Sequence, residues 1–290
     1  MRRDHDEQGM ILVNVLMFVA IASGLVLLMI SREELALDRS LRGREAARAA
    51  AIVRGGELSA ISALQRDAKE APDADHAGER WASIGAKGVA IDGGSFDLAV
   101  SDAEGRFNVN SLRSGEVAPV LLFQKLAAIA GLEEAQMTEA IAYVRGQGPV
   151  TDVRPIRLLP GVDQSAVERL ERMVTALPGN THINLNAADQ ELLAILFDDP
   201  VVAERLVAVR KRNGQITLRD LSDQKVSQPP GTSFQSDTFW VRVRATIGST
   251  AQDGATLIQR KREEDGTVDV RPVARWRNAA VPPEAPAAGG

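Results

Sequence analysis

The chain has 290 residues with 34 Lys and Arg against 39 Asp and Glu, and the resulting net charge of −5 does not favour a general nucleic-acid binder. It contains no cysteine, which excludes disulfide frameworks, cysteine-ligated zinc, iron–sulfur clusters and thiol nucleophiles. Its mean hydropathy of −0.10 excludes a multi-pass membrane protein but leaves room for one span.

The first predicted element is an apolar helix over residues 10–30, which contain no charged side chain. Such a helix is roughly 32 Å long, enough to cross the hydrocarbon core of a bilayer. Arg2 and Arg3 precede it and indicate a cytoplasmic N-terminus, so the rest of the chain lies outside. The run is too long for a cleaved signal peptide and lacks an A-x-A site after it, whereas a plain signal anchor remains an alternative.

The second element is an amphipathic extension of the same helix over residues 31–70, rich in Ala, Leu, Arg and Glu. No proline interrupts it before Pro72, so the whole helix is expected to reach roughly 90 Å. Gly55 and Gly56 should weaken or bend it, because an interior glycine costs about 1 kcal/mol relative to alanine.

Strand patterns begin after residue 80. Residues 89–91 and 95–100 flank Gly93 and Gly94, which predicts a hairpin, and residues 106–110 read as a returning strand. The next hundred residues are almost wholly helical, with Asn186 as the expected N-cap of the fourth helix. The predicted helices cover residues 119–130, 133–144, 165–177, 187–197 and 201–212, and the closing strands cover 238–247, 255–260 and 267–275.

These elements predict an α+β protein in which a helical domain interrupts an antiparallel sheet, and their order excludes alternating βαβ folds. The assigned segments are a leader (1–9), a transmembrane helix (10–30), its amphipathic extension (31–70), a first part of the sheet (71–112), an inserted helical domain (113–228), closing strands (229–275) and a disordered tail (276–290).

The N-terminal pattern resembles a type IV pilin or pseudopilin precursor: a short charged leader ends in Gly9, and an apolar helix runs into an amphipathic one. That resemblance implies a prepilin peptidase that cuts after Gly9 and methylates the new N-terminus, Met10. The fifth residue of the mature chain is then Asn14, where nearly all pilins carry Glu. In pilins this Glu is thought to neutralise the terminal amine of the neighbouring subunit ahead, and a charge buried in lipid is kept only where such a partner charge exists. A subunit at the filament tip has no neighbour ahead of it and therefore needs no Glu at this position. The alternative for Asn14 is a polar residue that bonds within a helix bundle.

The family that lacks this Glu is the minor pseudopilin K family of type II secretion, a pilin fold with a large helical insertion in its sheet. The segments D-A-E-G-R-F-N-V-N-S-L (102–112) and I-N-L-N-A-A (183–188) also resemble it. The resemblance implies an inner-membrane protein with a periplasmic C-terminal domain, and a structural rather than enzymatic role. It implies a pseudopilus tip formed with minor pseudopilins I and J, contact with the inner-membrane assembly platform, and export of folded proteins, with the secreted substrates as further candidate partners.

Two other hypotheses for the function stay open: a tip subunit of a type IV or competence pilus, and a membrane-anchored DNA receptor. Residues 183–196 and 201–221 resemble the helix–hairpin–helix unit of competence-type DNA receptors, which hold phosphate on backbone N–H groups at a glycine turn. Here Phe197-Asp198-Asp199-Pro200 occupies the turn, and the two carboxylates would repel phosphate. The basic run 210–212 is typical of a solvated helix C-terminus.

Catalysis has little support in the sequence. His5, His76 and His182 lack metal-binding spacing, and no phosphate-binding loop, nucleophile elbow or dinucleotide fingerprint is present. No cofactor is expected. Calcium is an unassigned option, since hard oxygen ligands could come from Asp198, Asp199, Asp220 or Asp223, although helix caps and solvated loop acids explain them as well.

Overall fold

A computed structural model of the chain describes residues 4–263, 266–282 and 284–287, and side chains from residue 13 onward. Its first element is one long helix, α1 (Asp4–Glu70), whose 67 residues span roughly 100 Å. The helix is exposed on all sides from Val13 to Gly43 and becomes half-buried only after that point. Its packed part presents buried apolar residues on one face, among them Ala49, Ala60, Ala63 and Leu64.

A five-stranded antiparallel sheet covers this face of α1, with the strand order β1-β2-β7-β8-β9. A one-turn helix, α2 (Arg80–Ser83), leads into the sheet. The strands are β1 (Ala86–Ile91), β2 (Gly94–Asp102), β7 (Thr238–Ile247), β8 (Thr250–Arg262) and β9 (Val268–Arg277). We call α1 together with this sheet the pilin body, after the resemblance noted above. The aliphatic and aromatic side chains of β2, β7 and β8 pack on α1 and on Trp81 and form the core of this body.

Two glycines allow the helix and the sheet to approach closely. A Cβ at Gly56 would lie 2.7 Å from Val243 Cγ2, and a Cβ at Gly254 would lie 2.5 Å from Val53 Cγ1. Each glycine therefore receives a valine from the opposite layer. The helix continues through Gly55 and Gly56, contrary to the expected weak point, because the contacts with the sheet outweigh the low helix propensity of glycine.

The helical domain is an insertion between two strands that pair with each other. β2 ends at Asp102, β7 begins at Thr238, and the two strands pair over their whole length from Gly94↔Ile247 to Asp102↔Phe239. The domain contains α3 (Val117–Ala130), α4 (Glu134–Gln147), α5 (Gln164–Met173), α6 (Gln190–Phe197), α7 (Pro200–Asn213) and α8 (Leu218–Asp223). It has a large apolar core of its own, separate from the core under α1.

The inserted domain is not purely helical, because it also contains two short parallel strand pairs. β3 (Phe107–Asn108) pairs with β4 (Val174–Thr175), and β5 (Ile183–Asn184) pairs with β6 (Thr232–Ser233). The pairing of β3 with β4 ends α5 at Met173, four residues before the predicted end, and limits the predicted strand over 106–110 to two residues.

Several described residues of the tail pack on the sheet, whereas disorder was expected over residues 276–290. Trp276 lies in β9, and Trp240 packs on it with ring centroids 5.2 Å apart. Ala285 is buried in the same cluster, and Arg242 Nη1 donates to Pro286 O at 3.0 Å. The sheet leaves an apolar surface around Trp240, and covering it offsets the entropy of ordering a Pro- and Ala-rich segment.

The inserted domain lies at the end of the pilin body that is far from the apolar segment. Glu45 of α1 accepts a hydrogen bond from Thr250 Oγ1, beside the β7–β8 turn, at 2.9 Å. Asp67, 22 residues or roughly 33 Å further along α1, pairs with Arg260 close to the point where the chain leaves and re-enters the sheet.

Candidate membrane anchor, domain junction and hairpin

The apolar start of α1 is the candidate anchor. In the described part of the chain, one helix is long and apolar enough to cross a membrane, with a mean hydropathy of 2.6 in its most apolar window and no buried residue in that window. Large apolar side chains from Val13 to Ile30 are about half or more exposed, and none packs on the rest of the chain. By length and composition such a surface fits a membrane-spanning helix.

The predicted processing residues lie at the start of this helix. Gly9 and Met10 lie within α1, before the first side chain that the structure describes. Asn14 follows on the same helix and is exposed. All three predicted residues thus lie along one continuous helix.

An ion pair between a buried carboxylate of α1 and a half-exposed arginine of the sheet helps to attach α1 to the sheet. Glu57 is 5% exposed; it receives two hydrogen bonds of 2.8 Å from Arg275 of β9 and one of 2.8 Å from Thr256 of β8. Burial opposes the charge of this carboxylate, but the bonds from Arg275 and Thr256 keep the pKa of Glu57 below its usual value.

A second network connects α1, the sheet and the inserted domain, and we call it the junction network: Asp67, Asp75, Asp102, Asn184, Ser236 and Arg260. Arg260 of β8 donates to Asp67 at 3.0 Å, to both oxygens of Asp75 at 2.5 and 2.6 Å, and to Ser236 O at 2.7 Å. The Asp102 carboxylate accepts from Ser236 Oγ at 2.7 Å and from Asn184 Nδ2 at 2.8 Å.

Burial changes the protonation of acids in this region. It raises the pKa of Asp102 to about 6 despite the hydrogen bonds from Ser236 and Asn184, and it raises the pKa of Glu104, 3% exposed, to about 8. The carboxyls of Asp102 and Asp237 add to the shift of Glu104 by repulsion.

Among the described residues, one acidic group has the spacing to hold a metal ion: Asp67, Asp75 and Glu79, with carboxylate oxygens within 4.8 Å of one another. Arg260 already supplies the positive charge between the two aspartates. Glu79 Oε2 accepts from Trp81 Nε1 at 2.7 Å and from the His76 amide at 2.9 Å. Protein donors therefore satisfy this cluster.

Three of the four acids considered for calcium make contacts within the protein, and the fourth, Asp223, is exposed at the end of α8. Asp199 caps α7 by accepting from Val201 N at 2.8 Å, and Asp220 forms a capping box with Thr217 at the start of α8. Asp198 pairs with Lys125 of α3.

The hairpin between α6 and α7 does not offer phosphate a free helix N-terminus. Asp198 takes the left-handed conformation at the end of α6, where a DNA-binding hairpin would carry glycine. The Asp199 carboxylate accepts from the amides of Val201 and Val202, which are the donors that phosphate would use. Arg210 is also occupied: its Nη1 donates to the carbonyls of Leu185, Asn186 and Ala188.

An Asn-x-Asn motif occurs twice in the inserted domain with the same local hydrogen bond, and its role was not predicted from the sequence. In each copy the first Asn side chain accepts from the amide of the second, at 3.1 Å for Asn108–Asn110 and 2.9 Å for Asn184–Asn186. In each motif the first Asn is the last residue of a two-residue parallel strand, β3 or β5. Asn186, the predicted N-cap, instead accepts from Ile216 N, while Asp189 caps α6. The repeat of this pattern in the sequence, N-V-N and N-L-N, is the feature from which the motif could have been predicted.

The fold resembles a chain of the crystal structure of the GspK–GspI–GspJ complex from the enterotoxigenic Escherichia coli type 2 secretion system. The TM-score is 0.63 at 18% identity, covering 83% of this chain and 99% of that one. No protein-family model matches the chain.

Among known proteins, type II secretion system protein K of Pseudomonas aeruginosa PAO1 is 28% identical over 91% of both chains. Protein K of Klebsiella pneumoniae is 24% identical over 94% of this chain and 98% of its own length. The chain is thus similar over nearly its whole length to type II secretion system protein K of two bacteria. Both the resemblance drawn from Gly9, Asn14 and the I-N-L-N-A-A segment, and the predicted pilin fold with a helical insertion, are thereby confirmed.

In this structure the I-N-L-N-A-A segment is part of the buried framework. Asn184 is fully buried in the junction network, and Leu185 is buried in the core of the inserted domain. Cleavage after Gly9, methylation of Met10 and the significance of Asn14 remain predictions.

Proposed function

We propose that this chain forms the tip of a type II secretion pseudopilus together with minor pseudopilins I and J, starts its assembly, and supports the export of folded proteins across the outer membrane. The structural neighbour comes from a complex of K, I and J, which supports these partners. The role is structural rather than enzymatic.

The observation that carries this proposal is the position of the inserted domain. It leaves the sheet between Asp102 and Thr238, beside the C-terminal end of α1 and opposite the exposed apolar segment. In a filament of pilin-like subunits, the next subunit ahead would stack over this end. A domain of this size would block that stacking, so assembly would proceed in one direction behind it.

The exposed half of α1 fits the membrane and filament stages of this role. The apolar segment would hold the precursor in the inner membrane, with a cytoplasmic N-terminus and a periplasmic C-terminal domain. After cleavage at Gly9 and methylation of Met10 by the prepilin peptidase, the same surface would pack among other pilin helices. Extraction from the membrane would require the inner-membrane assembly platform.

The assembly state is testable by light scattering of the full chain in an uncharged detergent, mixed with purified I and J pseudopilins. We expect one 1:1:1 species, and omission of either partner should remove it.

The tip position is testable by electron microscopy with a gold-labelled antibody against the inserted domain, which should mark one end of each pseudopilus. Labels along the filament length would contradict the tip position, and a monomer that binds duplex DNA would favour the hairpin reading.

Asn14 gives a second test of the tip position. Asn14→Glu should be tolerated or mildly harmful to secretion, because a tip subunit has no neighbouring amine to pair with the new carboxylate. Asn14→Gln is the matched control, since it has the same side-chain length without the charge. A strong gain in secreted protein for Asn14→Glu alone would overturn the tip argument.

A further inference from the structure

The chain after β9 crosses the face of the sheet opposite α1, and we call its described residues, 278–282 and 284–287, the strap. Phe239 and Val241 of β7 pack under α1, so the side chain between them, Trp240, points to the opposite face. Trp240 is nevertheless only 4% exposed, because the strap and the inserted domain cover it together. The strap therefore covers an apolar strip of the sheet.

Few contacts hold the strap on the sheet. Near its start Asn278 Oδ1 accepts from Asp253 N at 3.0 Å, and near its end Arg242 Nη1 donates to Pro286 O at 3.0 Å. The apolar contact comes from small side chains such as Ala285, which is 6% exposed. A single hydrogen bond contributes about 0.5–1.5 kcal/mol net, and ordering the segment costs entropy. One ionisable group can therefore decide whether the strap stays docked.

Glu284 is the only ionisable side chain in residues 278–290. Both of its carboxyl oxygens are buried, and neither makes a hydrogen bond with a side chain or amide in the described part of the chain. An ionised carboxylate in such a place loses its hydration without replacement, whereas a neutral carboxyl loses much less. The docked strap therefore favours the protonated form of Glu284.

The charged groups around Glu284 do not compensate a negative charge there. Those on the nearby part of the inserted domain are Arg106, Asp152, Arg154, Glu168, Glu171 and Arg172. Arg154 forms its ion pair with Asp152, and none of the described arginines forms one with Glu284. Asp102 and Asp189 line the adjoining cavity and add negative charge to this region.

We propose that the strap is a proton-gated cover: with a neutral Glu284 it lies over Trp240, and with an ionised Glu284 its end leaves the inserted domain and uncovers the apolar strip. The released carboxylate regains its hydration, which offsets the loss of the few contacts with the sheet. The cover thus makes this part of the outer sheet face accessible at higher pH. The inference concerns a single chain and does not depend on the proposed tip role.

The direction of the pH effect follows from the surroundings of Glu284. Burial raises its pKa above the ordinary value of 4.5, and the charge of Asp152 adds to this, whereas the amides of Glu284 and Val153 and the guanidinium of Arg154 offset it only in part. The docked strap binds this proton more tightly than the released strap. Docking is therefore fully favoured below about pH 4.5 and weakens as the pH rises through the pKa of the docked state.

A spin label on the strap measures this equilibrium. The chain contains no cysteine, so Ala287→Cys, at an exposed position, provides one attachment site for a nitroxide. Electron paramagnetic resonance of the labelled full chain in an uncharged detergent separates immobilised from mobile label. The ratio of mobile to immobilised label should rise at least about fivefold between about pH 5 and about pH 8. Circular dichroism should stay constant over this range, which distinguishes release of the strap from unfolding.

Glu284→Gln in the labelled chain should hold the ratio within about twofold over the same range, because the amide cannot ionise. Glu168→Gln is the matched control: it removes a carboxylate from the same crevice, but from an exposed position on α5, and should keep the full rise. Every variant retains Glu104, so its titration is common to all of them. A ratio that is constant with pH in the labelled parent, an equal rise in Glu284→Gln, or loss of the rise in Glu168→Gln would each overturn the proposal.

Discussion

Asn184 has no exposed surface, and its side chain contacts three parts of the chain that lie far apart in sequence. Its Nδ2 donates to Asp75 O at 3.0 Å, to Asp102 Oδ2 at 2.8 Å and to Ser236 Oγ at 2.9 Å. These contacts join the loop after α1, the end of β2 and the chain that returns to β7. A single amide thus fixes the inserted domain to the pilin body.

Asn184→Ala should lower the free energy of unfolding of the full chain by about 3 kcal/mol. The substitution leaves Asp102 and Ser236 with unmade hydrogen bonds in a buried region and also creates a small cavity. Urea unfolding in an uncharged detergent, followed by circular dichroism, measures the change. Asn180→Ala is the control: Asn180 is exposed, so the expected change stays within about 0.5 kcal/mol. A loss below about 1 kcal/mol at Asn184 would contradict its junction role.

Glu104 is a residue whose protonation should couple stability to pH. Its folded pKa of about 8 lies above the ordinary value of 4.5, because burial disfavours the charged form and Asp102 and Asp237 repel it. The folded chain therefore binds this proton more tightly than the unfolded chain. The stabilisation is complete below about pH 4.5 and is lost progressively as the pH rises to about 8.

Glu104→Gln should remove this contribution, because the amide mimics the protonated acid and keeps an oxygen that can accept from Asp237 N. We expect the unmodified chain to lose more stability than the variant between about pH 5 and about pH 8, measured as free energy of unfolding in urea. Glu191→Gln, at an exposed position on α6, should follow the unmodified chain. Identical pH slopes for Glu104→Gln and the unmodified chain would show that Glu104 is ionised throughout.

The longest element, α1, carries adjacent glycines in opposite environments. A Cβ at Gly55 would meet nothing within 4 Å, whereas a Cβ at Gly56 would lie 2.7 and 3.0 Å from the two methyl carbons of Val243. Val243 is 2% exposed and packed in the core under α1, so its methyl groups have little room to move.

Alanine at these two positions should therefore change stability with opposite sign. Gly55→Ala should stabilise the chain by about 0.5–1 kcal/mol through helix propensity and a less flexible unfolded chain. Gly56→Ala should destabilise it by about 1–3 kcal/mol, since the new methyl group pushes α1 away from β7. The test compares the free energy of unfolding of each full-length variant with that of the unmodified chain. Stabilisation by both alanines would contradict the close helix–sheet contact.

The elements themselves followed well from local patterns in the sequence. The bounds of β7 match residues 238–247, and five inserted helices were predicted from apolar spacing and from Gly and Pro breaks. The short strands β3–β6, the early end of α5 and the packing of the tail depend on partners distant in the chain. Local patterns carry no information about such partners, and the same reason explains why the roles of Asn184 and Asn186 were missed. The cap at Asp189 is a local contact with Leu192 N, and it was missed because Asn186, three residues earlier, is an equally suitable capping residue.

At the scale of the whole molecule, two separate cores are joined by one polar junction network. One core lies between α1 and the sheet, and the other lies within the inserted domain. The junction network and the Arg275–Glu57 pair tie both to the distal half of α1, while the proximal half remains uncovered. The molecule therefore combines a packed head with an uncovered apolar helix, as the proposed function requires of a subunit that first lies in a membrane and then joins a helix bundle.

Under the proposed function, removal of the leader prepares this helix for assembly. The substitution Gly9→Arg tests whether the leader is cut after Gly9. We expect an unprocessed precursor, because a large charged side chain would replace the smallest residue at the predicted cleavage site. Intact mass spectrometry of the protein from a host with a prepilin peptidase should show residues 1–9 retained and no methyl group on Met10. Gln8→Arg is the control, since it adds the same charge one residue earlier and leaves Gly9 at the cleavage site. Mature, methylated protein from Gly9→Arg would refute the leader assignment.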